Sequence, residues 1–141
     1  MRFSMILRVE HLWNHLGPYA RYDEAPEPLR AMIELHGGES SEAHPTLPFD
    51  TLLAQKQLRP SPFWPSHPTR RFGFRSWDQL FLWFSIEELR MLERYGFRVM
   101  EYAVMPFRVF HGSKQSIFDS RGVYSRKSAT RELHGMPSWR T

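Results

Sequence analysis

The chain contains no cysteine. That excludes disulfide scaffolds, thiolate catalysis and cysteine-based zinc sites together, and it suits a reducing compartment. No stretch approaches the roughly 18 consecutive apolar residues that a membrane-crossing helix needs. The start of the chain meets Arg8 and Glu10 too early for a signal peptide, so a cytoplasmic protein without membrane association is expected. Also absent are an HExxH zinc motif, a glycine-rich phosphate loop and a serine nucleophile elbow. The adjacent acids Glu87 and Glu88 fall in a first helical turn, where the helix dipole explains them, and Asp23-Glu24 lies in a turn-like stretch. Neither reads as an acid–base pair with unlike environments.

What is present fits one domain of 141 residues. Hydrophobic residues at 41% and charged residues at 24% match ordinary globular usage. Aromatic residues reach 15%, enough to stiffen a small core or line a pocket for a planar ligand. The formal net charge is +4, and the last stretch concentrates Arg121, Arg126, Lys127, Arg131 and Arg140 against Glu132. Residues 120–141 are therefore expected as a solvated, mobile basic tail, with nucleic acid as the partner such a tail permits.

The pattern predicts an α+β domain: a small antiparallel or split sheet, two to three short helices and a long loop. Residues 3–9 read as a strand, and Gly17-Pro18 punctuates the segment after it. Leu29, Met32 and Ile33 share one face of a helix over 28–36, stopped by Gly37-Gly38. Six prolines between residues 39 and 71 forbid long regular elements there, apart from a short helix over 50–57. Phe72-Gly73-Phe74 reads as a strand. Ser76 with Gln79, and Ser85 with Glu88, are capping-box patterns that start two helices. Gly96 stops the second helix in a left-handed conformation. Residues 97–104 alternate as a strand, and 108–110 with 115–118 form a hairpin across His111-Gly112-Ser113-Lys114.

His11 and His15, with His44 or His67, outline a metal set, yet no carboxylate is placed to orient the rings, and no metal is expected. A helix–turn–helix over 76–95 would present Glu87 and Glu88 to phosphates, which they repel.

Arg8 with Glu10 two residues later, Phe74-Arg75-Ser76, and Gln115 opening a late strand form an ordered set. That set resembles the mono-ADP-ribosyltransferases of the cholera-toxin-like class. The resemblance implies that Arg8 contacts NAD phosphates or frames the cleft, and that Ser76 steadies the NAD site beside Phe74. It implies that Gln115 faces the reacting ribose, and Tyr19 or Tyr22 would stack on a planar ring. The family's glutamate two residues beyond Gln115 is here Ile117. Gln115, Asp119 or Glu10 then stands in for that acid, or the site is inactive.

A second resemblance covers most of the chain. Gly73-Phe74-Arg75-Ser76, Gln79-Leu80, Trp83-Phe84, Glu87-Glu88-Leu89, Gly96-Phe97 and Gln115 to Asp119, with Gly17-Pro18-Tyr19, are similar to small uncharacterised proteins of bacteriophages and prophages. It implies a phage protein acting in the host cytoplasm, with a host protein as partner. Two readings result: an enzyme with an NAD or nucleotide cleft, or a non-enzymatic protein that inhibits a host defence or polymerase component by direct binding.

Overall fold

Strand β1 (Ser4–His11) organises the fold because it is buried on both faces. In the computed structural model, which describes residues 2–18, 24–35, 69–112 and 114–137, Ile6 to Glu10 are all buried. Leu7 and Val9 point one way, and Ile6, Arg8 and Glu10 the other, as a period of two requires. Helix α1 (Glu27–Leu35) buries Leu29, Met32 and Ile33, the face its spacing predicts. The expected helix over 50–57 and most of the proline-rich loop lie outside the described residues.

Strand β2 (Arg70–Gly73) leads into two capped helices, α2 (Trp77–Phe81) and α3 (Ile86–Arg94). Ser85 and Glu88 complete a reciprocal capping box. At α2 only half of the box closes on its own cap. Ser76 Oγ accepts from Gln79 N–H, but Gln79 Oε1 reaches one residue further back and accepts from Arg75 N–H. Gly96 ends α3 with φ +91°, a conformation that favours glycine.

Strand β3 (Phe97–Val104) pairs antiparallel with β1 over eight residues and, on its other edge, with β6 (Val123–Ser128). The second sheet orders β2, β5 (Ser116–Asp119) and β4 (Val109–His111). Short 3-10 turns at Pro106–Arg108 and Ser120–Gly122 carry β3 into β4 and β5 into β6. The two arms therefore run as one bent antiparallel ribbon with its tip at residues 112–115. The chain ends in helix α4 (Thr130–His134). This is a small single-domain α+β fold.

Residues from 120 onward, expected as a solvated tail, include an ordered strand and helix. Strand β6 shows no apolar alternation, since five of its six residues are exposed. Its ladder with β3 holds it, and Ala129 and Leu133 are buried in the core. Termination after Gly122 would remove a paired strand.

Two apolar clusters sit on opposite faces of the first sheet. On the helix side, Leu7, Val9, Phe97 and Val99 meet Leu29, Ile33, Leu80, Trp83, Leu89, Leu92 and Leu133. On the other side, Ile6, Met100, Tyr102 and Val104 pack on Phe118 of β5, so the second sheet covers that face. The sheets are stitched where Leu7 and Phe74 exchange two backbone hydrogen bonds of 2.7 Å.

The stitch needs a missing side chain. A Cβ on Gly73 would lie 2.4 Å from Ile6 Cγ2 and 2.7 Å from the Leu7 carbonyl oxygen. Only glycine lets the strands approach this closely. Gly73→Ala is expected to lower stability by about 1–3 kcal/mol, as overpacking does. Gly135→Ala, whose added carbon meets nothing closer than 3.6 Å, is the neutral control. Urea denaturation of both variants measures the difference, and equal midpoints would contradict it.

Candidate functional site

Glu10 is the most deeply buried charge described, at 1% exposure. It faces the interior between the two sheets because it lies two and four residues beyond Arg8 and Ile6 on one strand. Tyr102 Oη stands 2.6 and 2.7 Å from the two Glu10 carboxylate oxygens and donates into that pair. Arg126 Nε donates to Glu10 Oε1 at 2.7 Å and to Tyr102 Oη at 3.1 Å. Arg8 Nε donates to Glu10 Oε2 at 3.2 Å. One carboxylate thus holds two guanidinium groups and a phenol, and its burial is compensated by charge and hydrogen bonds together.

Arg8 spends its other nitrogens on the backbone. Nη1 donates to the Phe72 carbonyl at 2.7 Å and Nη2 to the His15 carbonyl at 3.2 Å. One side chain therefore ties β1 to β2 and to the turn at residues 11–16. Burial pulls the Arg8 pKa below its ordinary value, against the opposing pull of Glu10. All three guanidinium nitrogens are engaged internally, which leaves Arg8 a structural tie between β1, β2 and the following turn.

The other residues singled out by sequence gather close by. Gly73 pairs with Ser116, the residue after Gln115. Phe74 in turn bridges Leu7, the neighbour of Arg8. The segments that hold Arg8, Phe74 and Gln115 therefore lie beside one another at the ends of the β1–β2 and β2–β5 pairings. Their side chains do not share one opening. Phe74 is buried, with its ring centroid 5.6 Å from that of Trp83. Ser76 Oγ caps α2, and Gln115 is buried at 3% exposure. Tyr19 and Tyr22 lie outside the described residues.

The ribbon tip is latched onto α2. Arg75 Nη1 and Gln79 Nε2 both donate to the Gly112 carbonyl, at 3.2 and 3.4 Å. Trp83 Nε1 donates to the Lys114 carbonyl at 2.9 Å. Of the alternative acids, Asp119 is held by Arg108 and Arg121, at 3.0 and 2.6 Å. Hydrogen bonds from Arg121 keep its carboxyl well below the usual carboxylate range.

A cavity of about 270 Å³ opens on the helix side, lined among others by His11, Gly17, Pro18, Leu29, Tyr95 and Phe97. Gly17 also borders Arg8, since a Cβ there would lie 3.9 Å from Nη2. Sequence reasoning read Gly17-Pro18 as a turn and named Tyr19, just beyond it and outside the described residues, as a stacking ring, but did not single out Tyr95 or Phe97. Tyr95 and Phe97 flank the left-handed Gly96, and that adjacency was the available signal. His11 belongs to this wall, with its Nδ1 accepting from Trp13 N–H. Among the described residues no cluster of three or more histidines and acids stands ready to hold a metal. No described helix is long and apolar enough to cross a membrane.

A family model described as Bacteriophage T4 Y00F protein matches residues 1–131. The chain belongs to this family. The match spans β1, every described helix up to the start of α4 and both sheets, so it covers the whole Glu10 network. It agrees with the phage affinity expected from sequence, whereas no comparison brings in an ADP-ribosyltransferase. No curated protein and no solved structure matches the chain.

Tyr102 gives one direct measurement. Burial first, then the hydrogen bond and charge of Glu10, push its phenol up to about 12. In the unfolded chain the phenol loses its proton near pH 10. The folded state keeps it longer, so this stabilisation is full below about pH 10 and is lost as pH rises toward about 12. Tyr102→Phe removes the donor to a buried carboxylate and is expected to cost about 1–3 kcal/mol at neutral pH. It should also flatten the alkaline limb of stability. Denaturation curves across that range and ultraviolet titration of tyrosinate check both statements, and an unchanged alkaline limb would refute the assignment.

Proposed function

We propose that this phage protein holds NAD or a related nucleotide in an ADP-ribosyltransferase-like cleft and acts on a host target. The observation that supports this reading is that Leu7, beside Arg8, bridges Phe74, while Gly73 and Ser116, the neighbours of Phe74 and Gln115, pair in the second sheet. Arg8 serves as the frame, since it fixes the position of the segment that leads to Gly17 and the neighbouring cavity. Tyr95 and Phe97 supply aromatic surface beside that cavity, and His11 and Asn14 supply polar groups. A few polar groups in an apolar, aromatic hollow suit a planar base. The ADP-ribosyltransferases' acid two residues beyond Gln115 is here Ile117, so the proposal commits to binding and not to turnover.

Calorimetric titration with NAD is expected to give binding in the millimolar range or tighter, weakened about tenfold in Tyr95→Ala, equivalent to about 1.4 kcal/mol. Absence of binding at millimolar NAD by a folded wild-type protein would overturn the proposal.

A second reading, direct inhibition of a host protein, rests on Trp13. Its side chain is 83% exposed, with Leu12 beside it at 47%. The turn beneath is rigid: His11 N–H donates to the Leu16 carbonyl, His15 N–H to the His11 carbonyl, and Leu16 N–H to Asn14 Oδ1. His15 takes φ 62° to close it. A large aromatic presented at low entropic cost is what anchors protein interfaces. A photo-crosslinking residue at Leu12 should capture one host polypeptide, and Trp13→Ala in the same chain should abolish the capture. A crosslinker at exposed Arg131 that captures the same species equally well would remove this reading.

A further inference from the structure

The hydrogen bonds of the turn at residues 11–16 decide which polar groups the neighbouring cavity can offer. A histidine ring and a primary amide can each present a donor or an acceptor, depending on the partner already taken. Here backbone donors fix both. Trp13 N–H donates to His11 Nδ1 at 3.1 Å, so the neutral ring carries its proton on Nε2. Leu16 N–H donates to Asn14 Oδ1 at 2.9 Å, which leaves that amide its NH2 group. Neither His11 Nε2 nor Asn14 Nδ2 has a partner among the described residues. Both side chains line the cavity of about 270 Å³. Their turn is tied to the end of α3 as well, since Leu12 N–H donates to the Gly96 carbonyl at 2.8 Å.

Glycine sets the position of Nε2. A Cβ on Gly96 would stand 2.7 Å from it, so the imidazole lies against the backbone between Tyr95 and Phe97. It meets the Phe97 ring edge-on, with centroids 5.2 Å apart. Acceptors on the wall are, by contrast, already in use. The carbonyls of His11 and Leu16 accept from His15 N–H and His11 N–H, and those of Ala25 and Pro26 accept from Arg30. Glu24, the one carboxylate among the described lining residues, has an interaction of its own. The unspent polar groups are therefore donors, set beside two aromatic rings. Pockets that enclose a drug-sized ligand run from about 300 to 1,000 Å³. This one has room for a single substituted ring and not for a whole dinucleotide.

We infer that this cavity selects a planar ring that presents a carbonyl oxygen, to which His11 Nε2–H and the Asn14 NH2 group donate. A ring whose polar group is a cationic amine sets donor against donor and is refused, because buried donors left unmatched are costly. The inference rests on the nucleotide reading for its choice of cavity and narrows it to the part of the ligand held there. The carboxamide-bearing ring of NAD and a free oxo-pyrimidine share the required chemistry. Phosphates stay outside, since no lysine or arginine is among the described lining residues.

Heteronuclear NMR of the nitrogen-labelled full chain, titrated with nicotinamide, uracil and benzylamine, is the test. Nicotinamide or uracil should move the Asn14 side-chain amide signals together with those of Tyr95, and the tighter of the two names the source. Benzylamine at equal concentration should move neither. Asn14→Asp keeps an oxygen for Leu16 N–H but removes the donor. It should weaken binding of the carbonyl ring about tenfold, the scale of one lost hydrogen bond, and admit benzylamine. A retained Leu16 amide signal shows that the turn is intact in this variant; if the turn opens, the ligand series on the wild-type chain decides. Benzylamine bound as tightly as nicotinamide by the wild-type chain, or unchanged affinity in a folded Asn14→Asp, would overturn the inference. Binding of NAD with neither carbonyl ring bound would overturn it too, and would leave the nucleotide reading standing. Binding of a carbonyl ring without NAD would do the reverse.

Discussion

Two backbone hydrogen bonds between Leu7 and Phe74 join what would otherwise be two separate three-stranded sheets. Strand β1 has β3 on one edge and the end of β2 on the other, so both of its sides and both of its faces are occupied. The chain can fold in this way only because Gly73 presents no side chain where the strands cross. Removing that close approach would part Phe118 from Ile6 and Tyr102, and would move the Phe72 carbonyl away from Arg8. The second apolar cluster and the charged network therefore depend on the same contact.

The Glu10 network then adds direction to what the stitch brings near. Apolar packing between Ile6, Met100, Tyr102 and Phe118 tolerates sliding of one sheet over the other. A carboxylate shared by Tyr102, Arg126 and Arg8 does not, because each donor has one acceptor geometry that leaves no buried group unpaired. It contributes specificity of arrangement more than net stability, since burying the ions costs much of what their attraction returns. It is also the link between fold and proposed function: Arg8 frames the turn at residues 11–16, and that turn leads to the cavity wall at Gly17.

Much of the architecture could be read from local signals. Ser76 and Ser85 announced α2 and α3, Gly96 ended α3, and alternation gave β3 within its observed bounds. These signals are legible because capping and left-handed turns depend on neighbours in sequence. Strand β6 was not legible, for its residues are exposed and polar and only β3 makes them a strand. Helix α4, at five residues, is too short for periodicity to register. Of the candidate site, the sequence indicated Arg8, Phe74, Ser76 and Gln115, but not that Arg8 is buried against Glu10 or that Tyr102 and Arg126 complete its surroundings. Those partners lie 92 and 116 residues from Glu10, a separation at which no local pattern speaks.

Strand β6 has a consequence of another kind. It is the outermost strand of the order β1, β3, β6, and among the described residues nothing pairs with its outer edge. Open edges invite the same strand of a second molecule, the route by which β-proteins aggregate. Here the edge carries Arg126 and Lys127 in succession, both exposed, and two copies brought edge to edge would set like charges against each other. Glu10 and Glu101 hold those cations in place on the inner side. The polar sequence that hid this strand from sequence reasoning is thus the same feature that keeps its edge from recruiting a neighbour.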